Sequence, residues 1–131
     1  MRLFVVRHAE AAPGDPDELR PLTAEGRAQA RALGERLARD GVRVDALLTS
    51  PLLRARETAG ELASRLGVQA EADDRLGPGA TLEIVRHAIA GRGDSVLIVG
   101  HQPDCGRIAA AVTGTEPDRV APASVITLEL D

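Results

Sequence analysis

The sequence predicts an α/β fold, a three-layer α/β/α sandwich around a mostly parallel central sheet. Three observations carry the prediction. Short runs such as Leu3 to Val6 and Val96 to Val99 are apolar at every position instead of alternating, the pattern of strands covered on both faces. Longer stretches with apolar residues at helical spacing separate these runs, and strand–helix alternation builds a parallel sheet through crossover helices. The chain has 131 residues and is 44% hydrophobic, which suits one core and a single domain over residues 1–131.

Each element follows from local signals. Residues 2–6 read as a buried strand, and residues 8–22 as a loop rich in Pro, Gly and Asp. Thr23 can cap a helix over 24–39, with Glu25 in its first turn favourable to the dipole and Asp40-Gly41 closing it. Val44 to Thr49 reads as a second strand. Ser50-Pro51 looks like a cap followed by proline at the first helical position. The helix that follows carries Leu52, Ala55, Ala59, Leu62, Ala63 and Leu66 on one face and stops at Gly67. Val68 to Ala72 is a short third strand, and the loop at Gly77-Pro78-Gly79 leads to a helix over 81–91. Ser95 to Val99 is a fourth strand, Pro103 and Asp104 begin a helix that ends near Gly114, and Ser124 to Leu130 is the last strand.

Composition excludes several functions. Phe4 is the sole aromatic residue, so there is no stacking platform for single-stranded nucleic acid. A net charge of −4 disfavours binding to phosphate backbones in general. All 16 cationic side chains are arginine, so any anion site must use Arg or His, and Arg brings a planar, permanently charged fork. Cys105 is the only cysteine, which rules out an internal disulfide. No apolar run approaches the ~20 residues of a membrane span, and the N-terminus lacks the apolar core of a signal peptide. A cytoplasmic location is the expectation, with neither nucleic acid nor membrane as a partner.

The chemistry gathers at strand ends. Arg7 and His8 follow the first strand, Gly100 and His101 follow the fourth, and Ser50 follows the second with Arg54 one turn into the next helix. In sheets of this kind ligands collect beyond the carboxyl ends of the strands, and a helix N-terminus adds amide donors there. The tripeptide Arg-His-Ala recurs at Arg86, His87 and Ala88. Here it lies inside a helix whose apolar face is Leu82, Val85, Ala88 and Ile89, so His87 is expected to face solvent.

Two arginines and two histidines at one rim suit a dianion. Arginine grips phosphate oxygens through bidentate, charge-assisted hydrogen bonds. A neutral histidine offers a nucleophilic nitrogen, and neighbouring arginine charge keeps His8 neutral by disfavouring the imidazolium. A cysteine phosphatase would need an arginine six positions after its cysteine, where Ala111 stands after Cys105; Cys105 is expected to be an inert helix residue. His8, His87 and His101 lack metal-ligand spacing, and neither a dinucleotide fingerprint nor a P-loop is present.

The segments "VVRHAEA", "LTSPLLRARETA" and "VGHQP", with "RPLTAEGRAQA" from Arg20 to Ala30, resemble in order and spacing the histidine phosphatase superfamily, and within it the SixA-like phosphohistidine phosphatases. The resemblance spans essentially the whole chain. It implies a phosphoglycerate mutase-like fold in a compact version without a lid, and a phosphatase with a role in signal transduction. It makes His8 the phosphate-accepting histidine, with Arg7, Arg54 and His101 clamping the phosphoryl oxygens and Arg20 as an outer substrate contact. It implies no metal or other cofactor, since phosphoryl transfer needs mostly positioning and charge stabilisation.

Ala9 stands where larger relatives have glycine, and Gly14 where they often carry a substrate-binding asparagine. Those relatives also supply a general acid between the second arginine and the second histidine. That region here reads "ADDRLGPGATLE", and Asp73, Asp74 and Glu83 are the candidates, none in a clear motif. An alkoxide leaving group needs a proton, whereas an imidazole leaves without strong help. The sequence therefore leans toward hydrolysis of phosphohistidine on a partner protein. The alternatives are a small-molecule phosphomonoesterase or mutase of the same superfamily, which would require one of these carboxylates in the pocket, and a phosphate-binding module without turnover.

Overall fold

The structure, a computed structural model, describes residues 1–117 and 119–131. Five strands, β1 (Arg2–Arg7), β2 (Ala46–Thr49), β3 (Ala70–Ala72), β4 (Ser95–Gly100) and β5 (Val125–Glu129), form one sheet in the order β3-β2-β4-β1-β5. Strands β3, β2, β4 and β1 are parallel, and β5 pairs antiparallel with β1. The helices are α1 (Ala24–Arg39), α2 (Leu53–Leu66), α3 (Leu82–Ile89) and α4 (Asp104–Thr113).

Successive side chains of a strand point to opposite faces, and β1 uses both. Leu3 and Val5 pack with Val85 and Ile89 of α3 and Ile108 of α4. Phe4 and Val6 pack with Leu33 and Leu37 of α1 and Ala55, Ala59 and Leu62 of α2. The three expected layers follow, and the uniformly apolar strands are explained by two-sided burial.

The parallel register levels the strand ends. Thr49 pairs with Val99 and Arg7 with Gly100, so the chain leaves β1, β2 and β4 at one rim. After α4 the chain returns to that rim, where the Ala123 N–H donates to Arg7 O at 3.1 Å, before descending as β5. This return explains the reversed direction of the last strand.

Two caps act as their residue types suggest. Thr23 Oγ1 accepts the Gly26 N–H at 2.9 Å, and Thr81 Oγ1 accepts the Ile84 N–H at 3.3 Å. Helix α2 starts later than the Ser50-Pro51 signal indicates, because both residues lie in a turn ahead of Leu53. Ser50 Oγ still takes the Leu52 N–H, at 3.2 Å, but it also reaches across the sheet to His101. Val44 and Asp45 fall outside β2; the Asp45 carboxylate instead accepts the N–H groups of Asp94 and Ser95 that lead into β4.

Candidate active site

Backbone bonds fix three segments around the end of β4. The His8 N–H donates to Gly100 O at 2.9 Å, and the Ser50 N–H to Val99 O at 3.0 Å. Helix α2 locks the turn after His8: Thr58 Oγ1 accepts the Ala9 N–H at 3.0 Å and donates to Arg54 O at 2.8 Å. Ala9 and Thr58 are fully buried; the residue after His8 packs where its Cβ meets no water.

The two site histidines face one another, with ring centroids 5.2 Å apart. His8 Nδ1 lies 2.7 Å from Ala9 O. A carbonyl oxygen only accepts, so Nδ1 carries the proton and Nε2 holds the lone pair. Burial pushes His8 down to about 4, against the Ala9 bond, and the charges of Arg54, Arg7 and Arg20 push the same way as burial. His101 is likewise lowered to about 4, by burial first and then by His8, Arg54 and Arg7, with Asp17 opposing. Both rings are neutral at pH 7.

The arginines differ in how they are held. Arg7 Nη1 donates to Val120 O at 2.9 Å, while its buried Nε has no partner among the described residues. Arg54 is only 7% exposed; its Nη1 donates to Asp17 O at 2.9 Å and its Nη2 to Asp17 Oδ2 at 3.1 Å. Arg20 donates through Nη1 to Asp17 Oδ1 at 3.1 Å and through Nε to Ala12 O at 2.8 Å. Asp17, in a single 3-10 turn over Asp17–Leu19, thus joins Arg54 to Arg20. His101 resembles Arg7 in that its Nδ1 is buried with no partner among the described residues, while Nε2 lies 2.7 Å from Ser50 Oγ.

The structure brings Arg7, His8, Arg54 and His101 together and attaches Arg20 through Asp17. The three carboxylates considered from the sequence lie elsewhere. Asp73 is taken by Arg75, whose Nε and Nη2 reach it at 3.0 and 2.7 Å, and this hydrogen bonding holds its carboxyl below the ordinary carboxylate range. Asp74 and Glu83 are exposed. Among the described residues none of the three bonds to the four central side chains. His87 is exposed on α3, as its helical position implies. Cys105 is buried, and burial pushes its thiol up to about 12, so it is inert.

Sequence reasoning missed Asp17, and took Ser50 only for a cap. The local spacing from Asp17 to Arg20 on one turn was a readable signal for that pair. The bonds from Asp17 to Arg54 and from Ser50 to His101 join residues remote in the chain, which no local pattern exposes.

A mostly parallel sheet with two histidines and two arginines at its carboxyl rim matches the phosphoglycerate mutase-like fold and offers a phosphoryl group both charge and hydrogen-bond donors. The family model described as Histidine phosphatase superfamily (branch 1) matches residues 3–77. The chain is 30% identical over 139 residues to phosphohistidine phosphatase SixA of Escherichia coli (strain K12), covering 100% of this chain and 86% of that protein. An uncharacterized protein of Picosynechococcus sp. is 38% identical over 120 residues, 86% of this chain and 73% of its own length. The solved structure of the protein histidine phosphatase SixA complexed with tungstate matches with a TM-score of 0.91 at 30% identity, over 100% of this chain and 89% of that one. The chain belongs to the histidine phosphatase superfamily, and it is a phosphatase. No helix among the described residues is long and apolar enough to cross a membrane.

Proposed function

We propose that this phosphatase hydrolyses phosphohistidine carried on a partner protein, through a phosphohistidine intermediate on His8. The observation that carries the reading is the pairing of a neutral His8, whose Nε2 bonds to nothing among the described residues, with two buried polar atoms that have no partner among them, Arg7 Nε and His101 Nδ1. Buried polar groups are almost always satisfied, and a phosphoryl group brings the acceptor oxygens that both can bond. The SixA relative crystallised with tungstate, a tetrahedral oxyanion, supports placing an anion here.

In the first step His8 Nε2 attacks phosphorus. The P–N bond to the substrate imidazole breaks, its electron pair stays on the leaving nitrogen, and that nitrogen takes a proton from water. Arg7, Arg54 and His101 hold the oxygens while charge redistributes, with Arg20 at the outer edge. Water then attacks the phosphoryl on His8, and the P–Nε2 bond breaks with its electron pair returning to the neutral ring. The proton lost by the attacking water neutralises the hydroxide left in the first step as inorganic phosphate departs. Losing one clamp donor raises the barrier by on the order of 2–4 kcal/mol.

The leaving group decides the substrate class. Among the described residues, the carboxylate that contacts the arginines is Asp17, and hydrogen bonds from Arg20 and then Arg54 hold its carboxyl below the ordinary carboxylate range. An ionised carboxylate has no proton to give an alkoxide; an imidazole needs none as strongly. The test offers the purified protein a phosphohistidine-bearing domain beside a panel of phosphate monoesters. Higher kcat/KM on the phosphohistidine domain and an acid-labile phosphoenzyme are expected, and His8→Ala removes both while keeping the fold. Faster turnover of a monoester overturns the substrate assignment, and turnover by the variant overturns the nucleophile.

A further inference from the structure

The hydrogen bonds of Ser50 constrain a proton at the active site. Ser50 is fully buried. Its Oγ accepts the Leu52 N–H at 3.2 Å and lies 2.7 Å from His101 Nε2. The neutral His101 ring carries its one proton on either Nε2 or Nδ1.

The two placements differ in what they leave unsatisfied. With the proton on Nε2, the ring donates to Ser50 Oγ. Among the described residues the serine hydroxyl hydrogen then has no acceptor, and Nδ1 is a buried lone pair with no donor. That makes two buried orphans. With the proton on Nδ1, Ser50 accepts from Leu52 and donates to Nε2, so every serine position is used. The one group left over is the Nδ1 N–H. Each buried unsatisfied group costs about 1–3 kcal/mol, so the second arrangement wins.

We propose that Ser50 is a positioning residue that fixes His101 as its Nδ1–H tautomer, aiming that donor at the transferred phosphoryl group. The proposal rests on the phosphoryl site proposed above. It also makes the two histidines complementary. Ala9 O holds the proton of His8 on Nδ1 and frees Nε2 for attack, whereas Ser50 occupies Nε2 of His101 and leaves Nδ1–H as a donor. A ring with Nδ1 as a lone pair would repel the phosphoryl oxygens that Arg7 and Arg54 attract.

The deciding measurement is the ring ¹⁵N spectrum of the free protein near pH 7, with His101 assigned. The expected result is a protonated Nδ1 and an unprotonated Nε2; the reverse pattern overturns the proposal. In Ser50→Ala the single-tautomer signature is expected to become mixed, with kcat on the favoured substrate falling about tenfold, the loss of about one buried hydrogen bond. Ser50→Thr, which keeps the hydroxyl, is expected to keep the Nδ1–H signature. An unchanged signature in Ser50→Ala overturns the role of Ser50. The spectrum needs no turnover: a phosphohistidine domain left intact beside a clear Nδ1–H signal would sink the substrate assignment alone.

Discussion

His8 and His87 sit in the same tripeptide and differ in everything around it. His8 follows a central strand, loses most of its solvent and gains arginine neighbours; His87 projects from the outer side of α3. Chemistry here belongs to position, and the sequence shows position when it marks where a strand ends. That is why Arg7, His8, Arg54 and His101 were legible: each stands at a strand end or in the first turn of a helix. Asp17 and Ser50 were not, because their decisive partners lie 37 and 51 residues away. The electrostatics give a prediction at this scale. Titrating the ring resonances of the free protein is expected to show His8 and His101 staying neutral through pH 5 and protonating near pH 4. A midpoint near the ordinary 6.5 for either ring would mean that the site is wetter than its packing implies.

At the scale of elements, the loop after β1 is held by two helices at once. Thr58 of α2 takes the Ala9 N–H, and α1 supports the next residue: the Glu10 N–H donates to Gln29 Oε1 at 3.0 Å, and the Thr23 N–H to Glu10 O at 3.1 Å. The cap at Thr23 was readable because it is local. The close approach it serves was not: a Cβ on Gly26 would lie 2.0 Å from Glu10 O. A backbone atom cannot swing aside as a flexible side chain can, so Gly26→Ala must push α1 away from the loop. Overpacking of this kind costs about 1–3 kcal/mol. Urea unfolding is expected to show that loss, with a fall in kcat as the displaced loop carries His8 with it. An alanine variant as stable as the parent would show that α1 and the loop do not press together.

For the molecule as a whole, the sequence carried the layers but not the direction of the last strand. Uniformly apolar runs announced two-sided burial, whereas nothing in Ser124 to Leu130 says which way the chain travels. Its direction follows from the return of the chain to Arg7 after α4, a tertiary event. The same rim links function to stability. His8 and His101 are neutral in the folded protein down to about pH 4, while in the unfolded chain they take up protons below the ordinary 6.5. Between these values the unfolded state binds more protons, so stability is full above pH 6.5 and falls as pH drops toward 4. Asp17 and Asp73, held below their ordinary 3.8, contribute stability present above that value and lost beneath it, in a separate and more acidic window. Urea unfolding at a series of pH values from 7.5 to 4.5 is therefore expected to show a decline centred on the histidine window, and His8→Ala to flatten it by removing one titrating ring. A parent protein equally stable across that range would mean that the two rings are no harder to charge in the fold than in water, and a site built on neutral histidines would lose its electrostatic basis.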